Sequence, residues 1–195
     1  MTPVVPAVRG EAPVTLREIR VAFFRNLNLG QARSHSPTSS QLLDAFVEAG
    51  ARAPSHVGTN GTVVYYHSTG PTLVRRVAKL LTPMCGYHDM VTVRSGSALI
   101  ELHRRLRGLR DGEVILYDTT PGFDPPTPIE SDDGLIVISL DHRRAITQHR
   151  LGSRPTAAGP FIASLVGVPT TTRSITTMRR VADRVREYAG AGPVP

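Results

Sequence analysis

Arg25, Asn26, Asn28 and Gly30 fall in one short segment, Arg25-Asn26-Leu27-Asn28-Leu29-Gly30-Gln31, directly behind the apolar run Ile19-Arg20-Val21-Ala22-Phe23-Phe24. A guanidinium gives a two-pronged donor fork, and a carboxamide gives donor and acceptor together. A glycine lets the backbone approach a ligand closely. The set suits a carboxylate or an amide. The same Arg25 and Asn28 could instead satisfy loop carbonyls and cap neighbouring elements. A second candidate is Thr170-Thr171-Thr172-Arg173-Ser174, just ahead of the last helical pattern. Hydroxyls and amides at a helix N-terminus can hold an anion, with Arg173 adding charge. The alternative there is an extended threonine lead-in with Ser174 as N-cap.

Other chemistries find little in the chain. His35, His56, His67, His88, His103, His142 and His149 form no H-x-H, H-x-x-x-H or H-E-x-x-H pattern. In His88-Asp89 and Asp141-His142 the partners are adjacent, and on a strand adjacent side chains point apart. No G-x-S-x-G elbow, Walker loop or G-x-G-x-x-G fingerprint occurs. Cys85 is the single cysteine and reads as a packed thiol, so no disulfide or cysteine-based metal site is expected. These absences argue against a metallohydrolase or a triad enzyme, and no metal or cofactor is implied.

The elements that would position these groups follow from periodicity. Ile19 to Phe24 reads as a buried strand. Thr38 with Gln41 makes a capping box for a helix that turns Leu42, Leu43, Phe46 and Val47 inward and ends at Gly50. Extended segments over 54–59 and 62–67 flank Asn60-Gly61, a hairpin signal because both residues accept positive φ. Gly70-Pro71 opens a helix with Leu73, Val74, Val77, Leu80 and Leu81 inward, and a strand is expected over 88–93. Strand, helix, hairpin, helix, strand is the βαββαβ order of a ferredoxin-like sandwich. A third helix over 97–109, with Glu101 able to pair Arg104 or Arg105, leads to a second α+β unit. That unit has a strand over 113–118, a Pro- and acid-rich loop over 119–133, and a hairpin of 134–140 with 144–149. Helices over 159–166 and 174–188 follow. The expected architecture is α+β: two ferredoxin-like sandwiches in tandem, with antiparallel sheets and helices on one face. The divisions are a flexible leader 1–18, a first domain 19–110, a smaller second domain 111–188 and a flexible tail 189–195.

The chain has 195 residues and a formal charge of +7, enough to raise a nucleic-acid partner. Yet Lys79 is the sole lysine among 23 basic residues, a compositional bias rather than a binding pattern. The 5 Tyr and 5 Phe are not interleaved with the arginine clusters, and Trp is absent. No apolar run is long enough to cross a membrane, and the N-terminus lacks the h-region of a secretory signal. A cytoplasmic monomer or homodimer is the expectation.

In these same segments the chain resembles the family known as domain of unknown function 1697. Arg25-Asn26-Leu27-Asn28-Leu29-Gly30-Gln31 is similar to its R-G-I-N-V-G-G loop, and Asn60-Gly61-Thr62-Val63-Val64-Tyr65 to its S-G-N-V-V-F hairpin strand. Thr171-Thr172-Arg173-Ser174-Ile175-Thr176-Thr177 is similar to its T-x-R-N-W-N-T element. Asn26, Gln31, Thr62 and Ser174-Ile175-Thr176 depart from the pattern, removing amide donors and an indole face. The resemblance implies two ferredoxin-like units and no settled activity. Together, motif and chemistry give Arg25, Asn28, Gly30, Asn60, Gly61, Thr172 and Arg173 as ligand-binding candidates. The leading expectation is a protein that binds an anionic or amide-bearing small molecule. A small cofactor-independent enzyme in the same pocket is the alternative. A third is a nucleic-acid or ribosome-associated protein using arginines around Arg104–Arg110 and Arg143–Arg154.

Overall fold

A computed structural model describes residues 15–31, 36–67, 70–150 and 158–191. The expected leader (1–14 of it) and the end of the tail lie outside the described residues. Two compact units divide the chain: one takes Met1–Arg105 together with Arg179–Pro195, the other Leu106–Met178. The expected boundary near Gly108–Gly112 is close to the first crossing. The C-terminal helix differs from expectation, since its residues from Arg179 onward belong with the first unit.

The first unit contains β1 (Ile19–Phe24), α1 (Ser39–Glu48), β2 (Arg52–His56), β3 (Thr62–Tyr66), α2 (Gly70–Cys85), β4 (Val91–Ser95) and α3 (Gly96–Arg105). Its four strands are all antiparallel, in the order β2-β3-β1-β4 expected of the ferredoxin-like arrangement. Thr38 caps α1 as the sequence suggests: its Oγ1 accepts from the Gln41 N–H, and its own N–H donates to Gln41 Oε1. Ala22, Phe24, Val63 and Tyr65 of the sheet pack with Leu42, Phe46, Leu73, Val77 and Leu81 of α1 and α2. Val47, expected inward, is exposed on the outer side of α1. The strand expected over 88–93 begins later, at Val91, which leaves His88 and Asp89 in a loop.

Apart from the half-buried Arg20, strand β1 is apolar on both faces, and both are buried: Ile19, Val21 and Phe23 are as inaccessible as Ala22 and Phe24. The second face is covered by residues of α5 (Ile175–Ala191), where Val181, Ala182 and Val185 are buried. The Tyr66 and Tyr188 rings sit 4.8 Å apart, Tyr66 donates to the Tyr188 carbonyl, and the Tyr188 hydroxyl donates to the Ala53 carbonyl. Besides the two crossover helices on one face, the first sheet thus carries the end of the last helix on the other.

The second unit contains β5 (Glu113–Leu116), β6 (Ile129–Glu130), β7 (Leu135–Leu140), β8 (Arg144–His149), α4 (Ala158–Val166) and β9 (Thr171–Ser174), together with the first turn of α5. Its sheet is ordered β6-β7-β8-β5-β9, again antiparallel. The run β7-β8-β5-β9 repeats the first unit's order, with α4 where α2 stands. Where α1 would be, a connection rich in proline carries only the short edge strand β6, because proline removes the donors a helix needs. Ile115, Tyr117, Leu135, Val137 and Ala145 pack with Ala158 and Ile162 of α4.

The tyrosine contact makes a pH prediction. Burial, helped by Tyr66 and Glu187 against the opposing Ser55 and Arg184, pushes the Tyr188 phenol up from 10.0 to about 12. Burial also raises Tyr65 and Tyr66. In the unfolded chain these phenols ionise near 10, so above that pH the unfolded state sheds protons that the folded state holds. Stability is complete below pH ~10 and falls as pH rises toward about 12. Urea midpoints at pH 9 and pH 11 test this. The wild-type midpoint should drop between them, and Tyr188→Phe should drop less.

Candidate functional site

The register of β1 gathers three connections at one end of the first sheet. Phe23 pairs with Thr62, and Phe24 pairs with Val91. The chain leaving β1 therefore emerges between the β2–β3 hairpin and the α2–β4 loop. Backbone bonds seal both sides: Arg25 N–H to the Met90 carbonyl at 3.1 Å, Phe24 N–H to Gly61 at 2.8 Å, and Leu29 N–H to Thr59 at 2.7 Å. Within the loop Leu27 and Leu29 are buried, while Asn26, Asn28 and Gly30 are exposed. The alternation anchors the loop in the core and turns its polar residues outward.

Beside it lies an open cleft of about 430 Å³, lined by Arg25, Asn26 and Leu27 on one wall and Cys85 to Asp89 on the other, with Ser36. Asp89 ties the walls together. Its Oδ1 accepts from Arg25 Nη1 at 3.2 Å and from the Met90 N–H at 2.7 Å, and its Oδ2 accepts from Asn26 Nδ2 at 2.7 Å. The Tyr87 hydroxyl sits within reach of the Arg25 and Met90 carbonyls, at 3.1 and 2.8 Å. Arg25 is 40% exposed, and its Nε and Nη2 make no hydrogen bond among the described residues. A two-donor edge of a positioned guanidinium is therefore left over in a residue that lines the cleft. Asp89 escapes sequence reasoning because it lies 64 positions from Arg25 and is brought to it only by the strand pairing.

The remaining candidates are dispersed around this centre. Asn28 does not line the cleft; its N–H donates to Ser36 Oγ and its carbonyl accepts from Gln31. Gly30 holds φ at +74° and donates its N–H to the Pro37 carbonyl. The hairpin is closed by the Val57 N–H on the Thr62 carbonyl, and its left-handed residues are Gly58 and Gly61. It is therefore not the two-residue Asn60-Gly61 turn expected. Asn60 Oδ1 instead accepts from the Thr62 hydroxyl. At Gly61 an added Cβ would stand 2.8 Å from Leu27 Cβ and 2.9 Å from Phe24 Cβ, so this glycine lets the hairpin lie against the β1 loop.

Thr172 and Arg173 belong to the second unit, on β9 rather than in a lead-in. Thr172 stands opposite Ile115 of β5. Arg173 is 4% exposed, and its Nη1 donates to Thr171 Oγ1 at 2.9 Å and to the Thr172 carbonyl at 2.8 Å. The first unit contains the same device. Arg94, 5% exposed, donates from Nη1 to Thr92 Oγ1 at 2.8 Å and to the Val93 carbonyl at 2.9 Å. Both arginines sit on the last strand of their sheet, β4 and β9. In each, the following serine caps the next helix, Ser95 accepting from Ala98 N–H and Ser174 from Thr177 N–H. The recurrence of Thr-x-Arg-Ser gives Arg173 a role in its own sheet. The short segment Thr92-Val93-Arg94-Ser95 was the signal available in the sequence.

Several arginines proposed for nucleic acid carry carboxylate partners: Arg104 with Glu101 at 2.8 Å, Arg143 with Asp118 at 3.4 Å and Arg144 with Asp141 at 3.2 Å. Arg154 lies outside the described residues. Among the described residues no cluster of His, Cys, Asp and Glu could hold a metal, and no helix is long and apolar enough to cross a membrane.

No family model matches the chain, and no curated protein matches it either. Among solved structures it is similar to a conserved bacterial protein from Streptococcus pneumoniae, at 14% identity and a TM-score of 0.60. The match covers 87% of this chain and 98% of that one. That likeness concerns the fold.

The glycines offer a stability test of the loop's construction. Gly61→Ala meets both a left-handed backbone and steric overlap with the Leu27 and Phe24 side chains, and should cost roughly 2–4 kcal/mol. Gly30→Ala meets the backbone penalty alone, with nothing within 4 Å of the new Cβ. It should cost about 1 kcal/mol. Urea denaturation of the two variants should return that order.

Proposed function

We propose that this is a cytoplasmic small-molecule-binding protein that takes a ligand bearing a carboxylate or carboxamide in the cleft beside the β1 loop. The observation carrying this reading is the Arg25 guanidinium. Its Nη1 is held by Asp89, its Nε and Nη2 are unbonded among the described residues, and it lines a cleft of about 430 Å³, within the usual size range for small ligands. Asp89 already accepts three hydrogen bonds, so its charge is met within the protein. The fork of Arg25 then remains for a planar acceptor, the geometry a guanidinium matches best. Asn26 spends its Nδ2 on Asp89, leaving Oδ1 to accept from an amide N–H.

We also propose that the chain is a divergent member of the domain of unknown function 1697 family. The loop supports this physically. Asn26 stands where that family has glycine and holds φ at +53°, a conformation asparagine tolerates better than other side chains. Gly61, common to both, is required by close approach to Leu27 and Phe24.

The test is thermal unfolding in the presence of a panel of small carboxylic acids and primary carboxamides. A ligand that binds only the folded state raises Tm with concentration. At least one member should do so for the wild type, and Arg25→Gln should weaken that binding roughly tenfold or more, the loss of a charge-assisted pair. A panel without effect, or one that stabilises Arg25→Gln equally, would sink the reading.

A further inference from the structure

At the edge of the first sheet, β2 has β3 as its one neighbour among the described residues, and the cleft beside it is larger than the Arg25 cleft. It holds about 590 Å³ between the segment Ser55 to Thr59 and the α5 residues Arg180, Asp183, Arg184 and Glu187. Its backbone is under strain. Ala53 holds φ at +45° immediately before Pro54, a conformation that costs on the order of 1–3 kcal/mol and persists only where surroundings enforce it. The enforcing contact is the Tyr188 hydroxyl on the Ala53 carbonyl, and the β2–β3 register shifts between Arg52 and Ser55. Such a bulge re-aims the residues that follow it.

Two consequences point to a ligand. The Val57 N–H bonds the Thr62 carbonyl, while Ser55 and His56 stand opposite Val64 and Val63. The alternation of an antiparallel ladder therefore turns the His56 N–H and C=O away from β3, toward the open edge. The charges on α5 are unequal in what they have left to offer. Arg184 donates to Ser55 Oγ at 2.7 Å and pairs with Glu187 at 2.9 Å, and Asp183 pairs with Arg186 at 2.6 Å. Arg180, exposed and lining the same cleft, makes no hydrogen bond or ion pair among the described residues. A cation and a backbone donor–acceptor pair lining one cleft, both unpaired among the described residues, are the complement of an amide next to a carboxylate.

We propose that this cleft binds the C-terminal end of an extended peptide. Its last amide group pairs with the His56 backbone as a short strand addition, and its free carboxylate lies on the Arg180 guanidinium. Asp183 and Glu187 are each already paired, so they leave the charge of Arg180 available to a monoanion. A doubly charged phosphate would meet both carboxylates and is the poorer fit.

The test is an NMR titration of the ¹⁵N-labelled full chain with N-acetyl-trialanine and with its C-terminal carboxamide. The free acid should shift the His56 amide and its neighbours from Ser55 to Thr59 and Arg180 to Glu187. The carboxamide should bind roughly tenfold more weakly, because it lacks the charge for Arg180. Arg180→Gln should lose about the same factor for the acid, with an otherwise unchanged spectrum showing that the fold is intact. Absence of shifts at these positions, equal response to acid and carboxamide, or unaltered binding by Arg180→Gln would each overturn the proposal. N-acetyl-alanine supplies the last control. If it binds as well as the tripeptide, the site is one for small carboxylates and the peptide occupant is wrong.

Discussion

Strand β1 is hydrogen-bonded on both edges and buried on both faces, and that single constraint organises the first unit. Its side chains alternate between the core under α1 and α2 and the face covered by α5, so every residue from Val21 to Phe24 is held from two sides. A strand so fixed has no freedom of register, because a slip of one position would exchange its two buried faces. The register in turn decides what meets the loop behind Phe24: the Met90 carbonyl on one side and the Gly61 carbonyl on the other. Arg25 is therefore positioned by backbone pairing, before any side-chain contact acts on it.

Asp89 then sets the electrostatics of the cleft. A lone carboxylate beside Arg25 would neutralise the guanidinium and leave little for a ligand. Here it also accepts from Asn26 and from the Met90 N–H, and it meets Arg25 through one nitrogen only. The result is an arginine oriented by one edge and available by the other. The Arg184 contacts follow the opposite logic: that guanidinium divides itself between Ser55 and Glu187 and acts as a strut for the β2 edge, while Arg180 keeps its charge unspent.

The two units solve one packing problem twice. Each sheet places its last strand beside its first, and each uses a Thr-x-Arg-Ser on that strand, with the buried arginine bonded to the threonine hydroxyl and an adjacent carbonyl. Buried guanidinium groups need such partners, since an unpaired one would be expensive to desolvate. The second unit departs only where proline has displaced the first crossover helix. Solved-structure likeness at 14% identity fits a pattern in which topology persists while side chains diverge.

Most elements and their order follow from local chemistry; β6 and β9, expected as loop and lead-in, do not. Capping at Thr38, apolar periodicity in the helices and the two-faced apolar run of β1 are local properties, readable without knowing any neighbour. The sequence also pointed to the loop that carries Arg25. What surrounds that loop follows from long-range pairing. Asp89 and Tyr87 reach Arg25 across more than sixty positions because β4 pairs with β1. The hairpin turned on Gly58 and Gly61 rather than on Asn60-Gly61, because the β2–β3 register and the crowding against Leu27 outweigh a local turn preference. Arg173, a candidate by its motif, sits inside a sheet because Thr171 to Ser174 found a partner strand in β5. Spacing along the chain carries no information about pairings of that range, and those pairings decide which polar groups remain unspent.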